Sequence, residues 1–200
     1  MLDLGAGSGR LTAELARVAR RVIAVELDPR WAARLRGRWG NVDVVEADAT
    51  RLPLPHEPFR VVANLPFART NELLRLLLDD PRTPLVRADL VVEWGVATKR
   101  GLPWPSTVNS VVWGAFYETA VARRLPRSAF EPPPAVDAGV LVFRRREALL
   151  IPTEAADRYR GFVARGFRHG LRSVVSARAV VKGALARDLD PHQWAELFSL

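Results

Sequence analysis

LDLGAGSGR, residues 2–10, runs from a short apolar segment into three glycines and then into a segment of helical period. The glycines are Gly5, Gly7 and Gly9, and Asp3 precedes them. Glycine has no Cβ, so the backbone of such a stretch can turn tightly and approach a ligand closely. The stretch therefore predicts a strand, a ligand-binding turn and a helix in succession, the opening unit of an α/β sheet. The alternative is a tight turn without a ligand.

Short apolar runs and segments of helical period alternate through the rest of the first half. The apolar runs are rich in β-branched residues, as is typical of strands, and cover residues 22–26, 42–46, 60–63 and 88–93. The two clearest helical segments are residues 11–21, with Leu11, Leu15 and Val18 on one face, and residues 71–80, with Leu73, Leu74 and Leu77 on one face. This order predicts parallel strands linked by helices.

The pattern changes after about residue 108. Two long β-like runs, residues 108–125 and 136–146, flank the rigid segment FEPPP at residues 130–134. We expect these runs to form an antiparallel hairpin at the edge of the sheet.

Beyond Pro152 the sequence becomes helical and basic. Helix-like stretches occupy residues 154–169 and 176–187, and Asp190-Pro191 opens a last helix. The predicted organisation is a ligand-binding domain over residues 1–150 and a small helical domain over residues 151–200.

Composition excludes several classes of protein. The 200 residues include no cysteine and three scattered histidines, so neither a disulfide framework nor a Cys/His metal cluster is expected. No apolar run approaches the roughly 18–20 residues that a membrane span needs. The opening MLDLGAGSGR has neither the basic nor the apolar region of a signal peptide. We therefore expect a cytoplasmic protein that binds no metal and no membrane.

The formal net charge is +8, and arginine supplies most of the basic residues. Residues 144–187 contain 11 basic and 3 acidic residues, so this segment carries the whole excess. Such a patch gains affinity from phosphates and displaced counterions, which favours nucleic acid as the partner. The candidate phosphate contacts are Arg144, Arg145, Arg146, Arg165, Arg168, Arg172, Arg178 and Lys182. The alternative is that these residues merely solvate arginine-rich helices.

Two acidic residues extend the ligand-binding prediction. Glu26 ends the second predicted strand, about 20 positions after the glycines, where a carboxylate can meet the hydroxyl pair of a ribose. The G-x-G-x-G spacing, with Asp3 able to organise the loop around a cationic amino acid, favours S-adenosyl-L-methionine over a dinucleotide. Asp48 follows the third strand and could accept a hydrogen bond from an adenine amino group; alternatively it caps a helix.

The chain resembles the rRNA adenine N6-methyltransferases in six stretches that occur in the same order. They are DLGAGSGRLT (3–12), VELD (25–28), EADA (46–49), NLPF (64–67), VVEWGVATKR (91–100) and FEPPPAVDAGVL (130–141). The resemblance continues to DPHQWAELF (190–198) and is closer to the large-subunit branch, which confers macrolide, lincosamide and streptogramin B resistance, than to the small-subunit dimethyladenosine transferases.

This resemblance implies a Rossmann-like class I methyltransferase sheet with a small C-terminal helical domain, S-adenosyl-L-methionine as cofactor, and 23S rRNA, protein-free or precursor, as the substrate of a monomeric enzyme. The glycine turn would hold the cofactor, Glu26 its ribose and Asp48 its adenine. Asn64, Leu65, Pro66 and Phe67 would form the methyl-transfer site, with Asn64 also beside the cofactor and Phe130 as a second aromatic wall. The family has a further segment before its first strand; here that strand begins at residue 2, so we expect weaker cofactor binding.

The chemistry of NLPF follows from its target. An adenine amine is a poor nucleophile because its lone pair is delocalised into the ring. If the Asn64 side-chain oxygen and the Leu65 carbonyl accept hydrogen bonds from its two N–H groups, the lone pair turns toward the sulfonium methyl group. Pro66 keeps that carbonyl aimed, and Phe67 can stack on an extruded base. Alternatives are a 16S rRNA dimethyltransferase, a methyltransferase of proteins or small molecules, and an RNA-binding relative with weak or lost cofactor binding.

Overall fold

The computed structural model describes residues 1–101, 107–175 and 185–200. The strands are β1 (Leu2–Leu4), β2 (Val22–Glu26), β3 (Val42–Glu46), β4 (Phe59–Asn64), β5 (Leu85–Glu93), β6 (Tyr117–Leu125) and β7 (Ala138–Arg145). They form one sheet in the order β3-β2-β1-β4-β5-β7-β6. Strands β1 to β5 pair in parallel, whereas β7 is antiparallel to both of its neighbours. The predicted α/β class with an antiparallel edge hairpin is confirmed.

The helices pack on the sheet, and most of their buried side chains belong to the same hydrophobic core as those of the strands. They are α1 (Arg10–Val18), α2 (Pro29–Leu35), α3 (Thr70–Leu78), α4 (Trp94–Gly101), α5 (Val108–Gly114), α6 (Ala156–His169) and α7 (Pro191–Ser199). Two short 3-10 turns, Ala49–Arg51 after β3 and Phe67–Arg69 after β4, also matter for the site. No helix in the described ranges is both long enough and apolar enough to cross a membrane.

The predicted apolar face of the first helix is partly wrong. Leu15 is buried, but Val18 is 77% exposed and Thr12 is buried instead. Helix α1 ends at Val18, three residues earlier than predicted, so Val18 lies at the helix end. Thr12 is buried because its hydroxyl donates a hydrogen bond of 2.6 Å to the Asp3 carboxylate.

The prediction of one β-run over residues 108–125 is also wrong, since its first part is α5 and only its second part is β6. Thr107 caps this helix by accepting a hydrogen bond from the Ser110 amide. The buried apolar residues of α5 include β-branched valines, which match a buried strand as well as a buried helix. Helix α2 was not predicted, although Asp28 and Pro29 form a regular helix start: the Asp28 side chain accepts from the Arg30 amide.

The C-terminal region is helical as predicted within the residues described. Helix α6 covers most of the predicted stretch at 154–169, and Asp190 caps α7 in a reciprocal pair of hydrogen bonds with Gln193. Of the predicted helix at 176–187, residues 176–184 lie outside the described part of the chain, and a 3-10 turn begins at Ala186.

One hydrophobic core runs from the sheet into these helices. Tyr159 of α6 and Trp194 of α7 are fully buried and belong to the same cluster as the sheet residues. Asp79, after α3, accepts hydrogen bonds from Trp113 of α5 at 2.8 Å and from Arg160 of α6 at 2.9 Å. The division of the chain at residue 150 therefore remains a proposal.

Candidate active site

The residues singled out in the sequence meet at the carboxyl ends of the parallel strands. The glycine turn follows β1, Glu26 ends β2, Asp48 follows β3 and Asn64 ends β4. Because β1 lies between β2 and β4, the chain order reverses here, which is where α/β sheets bind ligands. Two adjoining cavities of about 510 Å³ and about 690 Å³ lie at this edge and share part of their walls.

The glycine turn follows the end of β1. Gly5, Gly7 and Gly9 have φ values of 78°, 52° and 80°, which side-chain-bearing residues rarely adopt. Gly5 lines both cavities and Gly7 lines the second. Gly9 lines neither cavity; a Cβ there would collide with the Leu35 side chain, so this glycine lets α1 pack against α2.

Glu26 fastens the glycine turn to the end of β2. One oxygen of its carboxylate accepts a hydrogen bond of 2.7 Å from the Gly7 amide, and the other accepts one of 2.9 Å from the Asp28 amide. The side chain lines the first cavity although the residue is only 9% exposed. A carboxylate has further lone pairs, so Glu26 can hold the turn and still accept from a ligand hydroxyl.

Asp3 lies beneath the turn and lines the second cavity. Its burial raises its pKa to about 6, although the hydrogen bond from Thr12 acts in the opposite direction. The negative charge of Glu26 adds to the increase. The two carboxylates at the glycine turn therefore differ in setting: Asp3 is desolvated, whereas two backbone amides donate to Glu26.

Asp48 caps the 3-10 turn after β3, as one of the two predictions for it stated. Its Oδ1 accepts hydrogen bonds from the Thr50 amide at 2.9 Å and from the Thr50 hydroxyl at 2.7 Å. These bonds lower the pKa of Asp48, and the nearby Arg69 guanidinium adds to the effect. The residue also lines the first cavity. Capping uses Oδ1 and leaves Oδ2 for a ligand, so the predicted contact with adenine stays a prediction.

The NLPF segment forms the opposite wall of the first cavity. Asn64 is the exposed last residue of β4, and the Leu65 amide donates to the Val91 carbonyl at 3.0 Å. The Leu65 side chain is 1% exposed and anchors the segment in the core. Pro66 then begins the 3-10 turn, and Phe67 lies half-exposed on the cavity wall.

Phe130 approaches the same cavity from the loop between β6 and β7, together with Pro132 and Pro134. Arg10, at the start of α1, forms an exposed ion pair of 3.5 Å with Glu131 of this loop. The structure thus brings the aromatic residues of NLPF and FEPPP to one cavity, 63 positions apart in the chain.

The predicted phosphate contacts fall into two groups. The fold itself uses Arg145 and Arg146: Arg145 stacks on Tyr117 at 5.4 Å, and Arg146 donates to the Gly114 carbonyl at 2.8 Å. Burial lowers the pKa of Arg146. The side chains exposed to solvent are Arg144, Arg165, Arg168 and Arg172, and Arg178 and Lys182 lie outside the described part of the chain.

Several residues that line the cavities were not selected from the sequence, and three of them have polar or aromatic side chains close to the predicted contacts. Arg69 and Thr50 line the first cavity, and Trp31 lines the second. Arg69 follows Phe67 by two positions, so its proximity to the site is the signal that the sequence offered. Among the residues described, no group of three or more His, Cys, Asp or Glu side chains could hold a metal ion.

The strand order β3-β2-β1-β4-β5-β7-β6 with β7 antiparallel, the glycine turn after β1 and the acids after β2 and β3 together match a Rossmann-like class I methyltransferase. The chain belongs to the ribosomal RNA adenine dimethylase family, which matches residues 1–183. This confirms the family resemblance that the motifs indicated, and membership implies the use of S-adenosyl-L-methionine in general.

Individual relatives support this assignment. The mycinamicin-resistance protein MyrB of Micromonospora griseorubida is 34% identical, over 100% of this chain and 69% of its own length. An rRNA adenine N-6-methyltransferase of Corynebacterium diphtheriae is 36% identical, over 82% of this chain and 64% of its own length. The chain thus spans about two thirds of these relatives.

Solved structures support the same fold. The 23S rRNA methyltransferase ErmE has a TM-score of 0.86 at 29% identity, covering 99% of this chain and 88% of that one. A dimethyladenosine transferase from Plasmodium falciparum has a TM-score of 0.73 at 18% identity, covering 98% and 87%, which supports the fold alone.

Proposed function

We propose that this protein transfers a methyl group from S-adenosyl-L-methionine to N6 of an adenine in 23S rRNA, protein-free or precursor, and so gives resistance to macrolides, lincosamides and streptogramin B. The observation that carries the proposal is a single cavity whose wall contains Glu26 and Asp48 together with Asn64, Phe67 and Phe130. The names of two relatives, a mycinamicin-resistance protein and a 23S rRNA methyltransferase, support this substrate and outcome.

The residues present fit a sulfonium nucleoside. Glu26 can accept hydrogen bonds from the ribose hydroxyls, and Asp48 can accept one from the adenine amino group through Oδ2. The turn of Gly5 and Gly7 lies between these groups and Asp3, so the amino-acid end of the cofactor fits beside the turn in the second cavity. When bound, the cofactor supplies an electrophilic methyl group.

The target adenine fits between the two phenylalanines. Asn64 Oδ1 and the Leu65 carbonyl oxygen accept hydrogen bonds from the two N6–H groups, which draws the amine out of conjugation and directs its lone pair. Pro66 fixes the direction of that carbonyl. Stacking of the base on Phe67 and Phe130 contributes roughly 1–3 kcal/mol per base, which offsets part of the cost of extruding the adenine.

The RNA-binding role belongs to the exposed arginines at the C-terminal end of the chain. Arg165 and Arg168 of α6 and Arg172 just after it face solvent and can contact phosphates, as can Arg144. Arg178 and Lys182, which lie outside the described residues, stay candidate phosphate contacts from the sequence alone. Apart from Arg144, these candidates belong to the proposed helical RNA-binding region, residues 151–200 of a monomeric enzyme.

Labelled-methyl transfer to protein-free 23S and 16S rRNA tests the proposal, with primer extension to locate the modified nucleotide. We expect transfer to 23S rRNA by the wild type and a rate lower by about 10²- to 10³-fold in Asn64→Ala. Transfer to 16S rRNA alone would instead support a small-subunit enzyme. That second candidate is favoured by a 32% identical relative in Synechococcus, a ribosomal RNA small subunit methyltransferase A. Transfer to neither RNA would contradict both.

A further inference from the structure

Arg69 connects two segments of the active site that are distant in the sequence. It ends the 3-10 turn that begins at Phe67, and it lines the first cavity with a side chain that is 43% exposed. From this position its guanidinium reaches the turn after β3, where Asp48 and Thr50 lie. The Arg69 guanidinium thus links the cavity wall after β4 to the cavity wall after β3.

Two of the three guanidinium nitrogens make these contacts, and Nη2, which lies 2.9 Å from Glu72 Oε2, also reaches the turn after β3. Arg69 Nε donates to Glu72 at 3.0 Å, a bond within its own segment that orients the guanidinium. Arg69 Nη2 donates to the Thr50 hydroxyl at 2.9 Å and lies 3.5 Å from Asp48 Oδ2. The planar fork of arginine can make such bonds in two directions at once, which a lysine ammonium cannot do with the same orientation.

The contact falls on the carboxylate oxygen that the cap leaves available. Asp48 Oδ1 already accepts two hydrogen bonds from Thr50, so Oδ2 is the acceptor that remains for an adenine amino group. At 3.5 Å, Arg69 holds Oδ2 through charge without occupying it as a close hydrogen bond would. Arg69 itself follows Phe67 by two positions in the sequence.

We propose that Arg69 is a positioning residue that fixes Asp48 for the adenine of the cofactor and fixes the Phe67 turn for the target adenine. The inference rests on the proposed function, because it takes Asp48 as the adenine contact and Phe67 as the stacking residue. A half-exposed ion pair contributes little to folding, so its main effect is on the geometry of the site.

Two ligands and two variants test the cofactor side without RNA. Calorimetry compares S-adenosylhomocysteine with its analogue that lacks the 6-amino group of the purine. Arg69→Met removes the donors at similar length, and Arg69→Lys keeps the charge without the fork. Arg82→Met is the matched control, because Arg82 forms an exposed pair with Asp80 outside the cavity.

We expect Arg69→Met to weaken S-adenosylhomocysteine binding about 5- to 20-fold, since a hydrogen bond to a charged group is lost or misdirected. Binding of the analogue should change less than about twofold, because it makes no amino contact with Asp48. Arg69→Lys should lie between wild type and Arg69→Met, and Arg82→Met should match wild type. Equal losses for both ligands, or no loss for either, would overturn the cofactor half of the proposal.

Single-turnover methyl transfer at saturating cofactor tests the other half. The rate should fall about tenfold in Arg69→Met because the Phe67 turn is less well held, whereas a role in cofactor binding alone would alter KM only. An unchanged rate overturns the part of the proposal that concerns Phe67. If the wild type methylates no RNA, the proposed function fails, yet the two-ligand comparison still decides whether Arg69 acts on the adenine subsite.

Discussion

The polar side chains at the carboxyl edge of the sheet are fixed by hydrogen bonds, whereas those described for the basic C-terminal region are largely exposed to solvent. At the edge, Glu26 and Asp48 are fixed by backbone amides and a neighbouring hydroxyl, and both face a cavity. In the C-terminal region, Arg165 and Arg168 project into solvent. The first arrangement suits a ligand of defined shape, whereas the second suits a polyanion that is recognised mainly through its charge.

The basic region is itself divided. Arg145 stacks on the Tyr117 ring, and Arg146 donates to the Gly114 carbonyl. Arg160 donates to the Asp79 carboxylate. These three arginines therefore hold strands and helices together. The neighbouring exposed arginines have no such role in the contacts among described residues. Net charge in a sequence therefore overestimates the charge that a surface offers to a partner.

The largest expected effect is at the methyl-transfer site. Asn64→Ala should lower the single-turnover rate about 10²- to 10³-fold, the usual loss when a group that stabilises the transition state is removed. Binding of S-adenosylhomocysteine should remain within a few fold, because the proposed nucleoside contacts, Glu26 and Asp48, are unchanged. A comparable loss of product affinity would show that Asn64 serves mainly to bind cofactor.

The buried acid at the same edge should make folding depend on pH. Burial raises the pKa of Asp3 to about 6, above its unfolded value, so the protonated form is favoured in the folded protein. Its contribution to the free energy of unfolding is complete below about pH 4 and declines as the pH rises through 6, by about 2–3 kcal/mol in total.

Denaturant unfolding at several pH values, with Asp3→Asn as the comparison, measures this effect. The asparagine does not titrate, so the stability of the variant should decline less between pH 4 and 6. Parallel pH profiles for the two proteins would show that the Asp3 carboxyl is not desolvated as its burial indicates.

Glu26 should affect the cofactor more than the RNA. Glu26→Ala removes the predicted ribose contact and an acceptor for the Gly7 amide, so product affinity should fall about tenfold or more. Glu46→Ala is the matched control: Glu46 pairs with Glu26 in register at the end of β3 but does not line either cavity. Calorimetry with S-adenosylhomocysteine measures both, and equal affinities for the two variants would refute the ribose assignment.

The smallest effect is expected for a pair of exposed arginines in the C-terminal region. Arg168→Glu with Arg172→Glu should weaken RNA binding roughly three- to tenfold and flatten its log-log salt dependence by about 0.7–0.9 units per lost phosphate contact. Filter binding over a series of salt concentrations measures both quantities. Arg17→Glu with Arg82→Glu reverses two exposed charges elsewhere and should change neither. Identical curves for both double variants would place the RNA surface outside α6.

The strand ends could be predicted because the relevant signals are local. Gly5 and Gly7 need positive φ, and Glu26 and Asn64 each close an apolar run, so both pattern and motif point to the same edge of the sheet. Phe130 came from the family resemblance alone, since nothing near it in sequence indicates which cavity its loop will approach.

The remainder depends on contacts that no local pattern encodes. The valines of α5 are buried in the core, where the alternation that separates strand from helix is lost. Arg69 lies 19 residues from Thr50 and 21 from Asp48 in the sequence, and only the folded sheet brings them together. For the same reason the internal roles of Arg145 and Arg146 could not be distinguished from those of exposed arginines.

The order of strands in the sheet also determines when each strand can pair during synthesis of the chain. Among the described strands, β6 pairs with β7 alone, and β7 joins it to β5, so β6 cannot join the sheet until residues 138–145 have left the ribosome. Strands β1 to β5 can meanwhile pair as each emerges, because their neighbours precede them or follow closely. The strand ends that carry Glu26 and Asn64 can thus come together before the Phe130 loop, which connects β6 to β7, is fixed at both ends. A nascent chain that stalls before β7 would then have the strands of the proposed nucleoside site but not the Phe130 wall of the proposed base site.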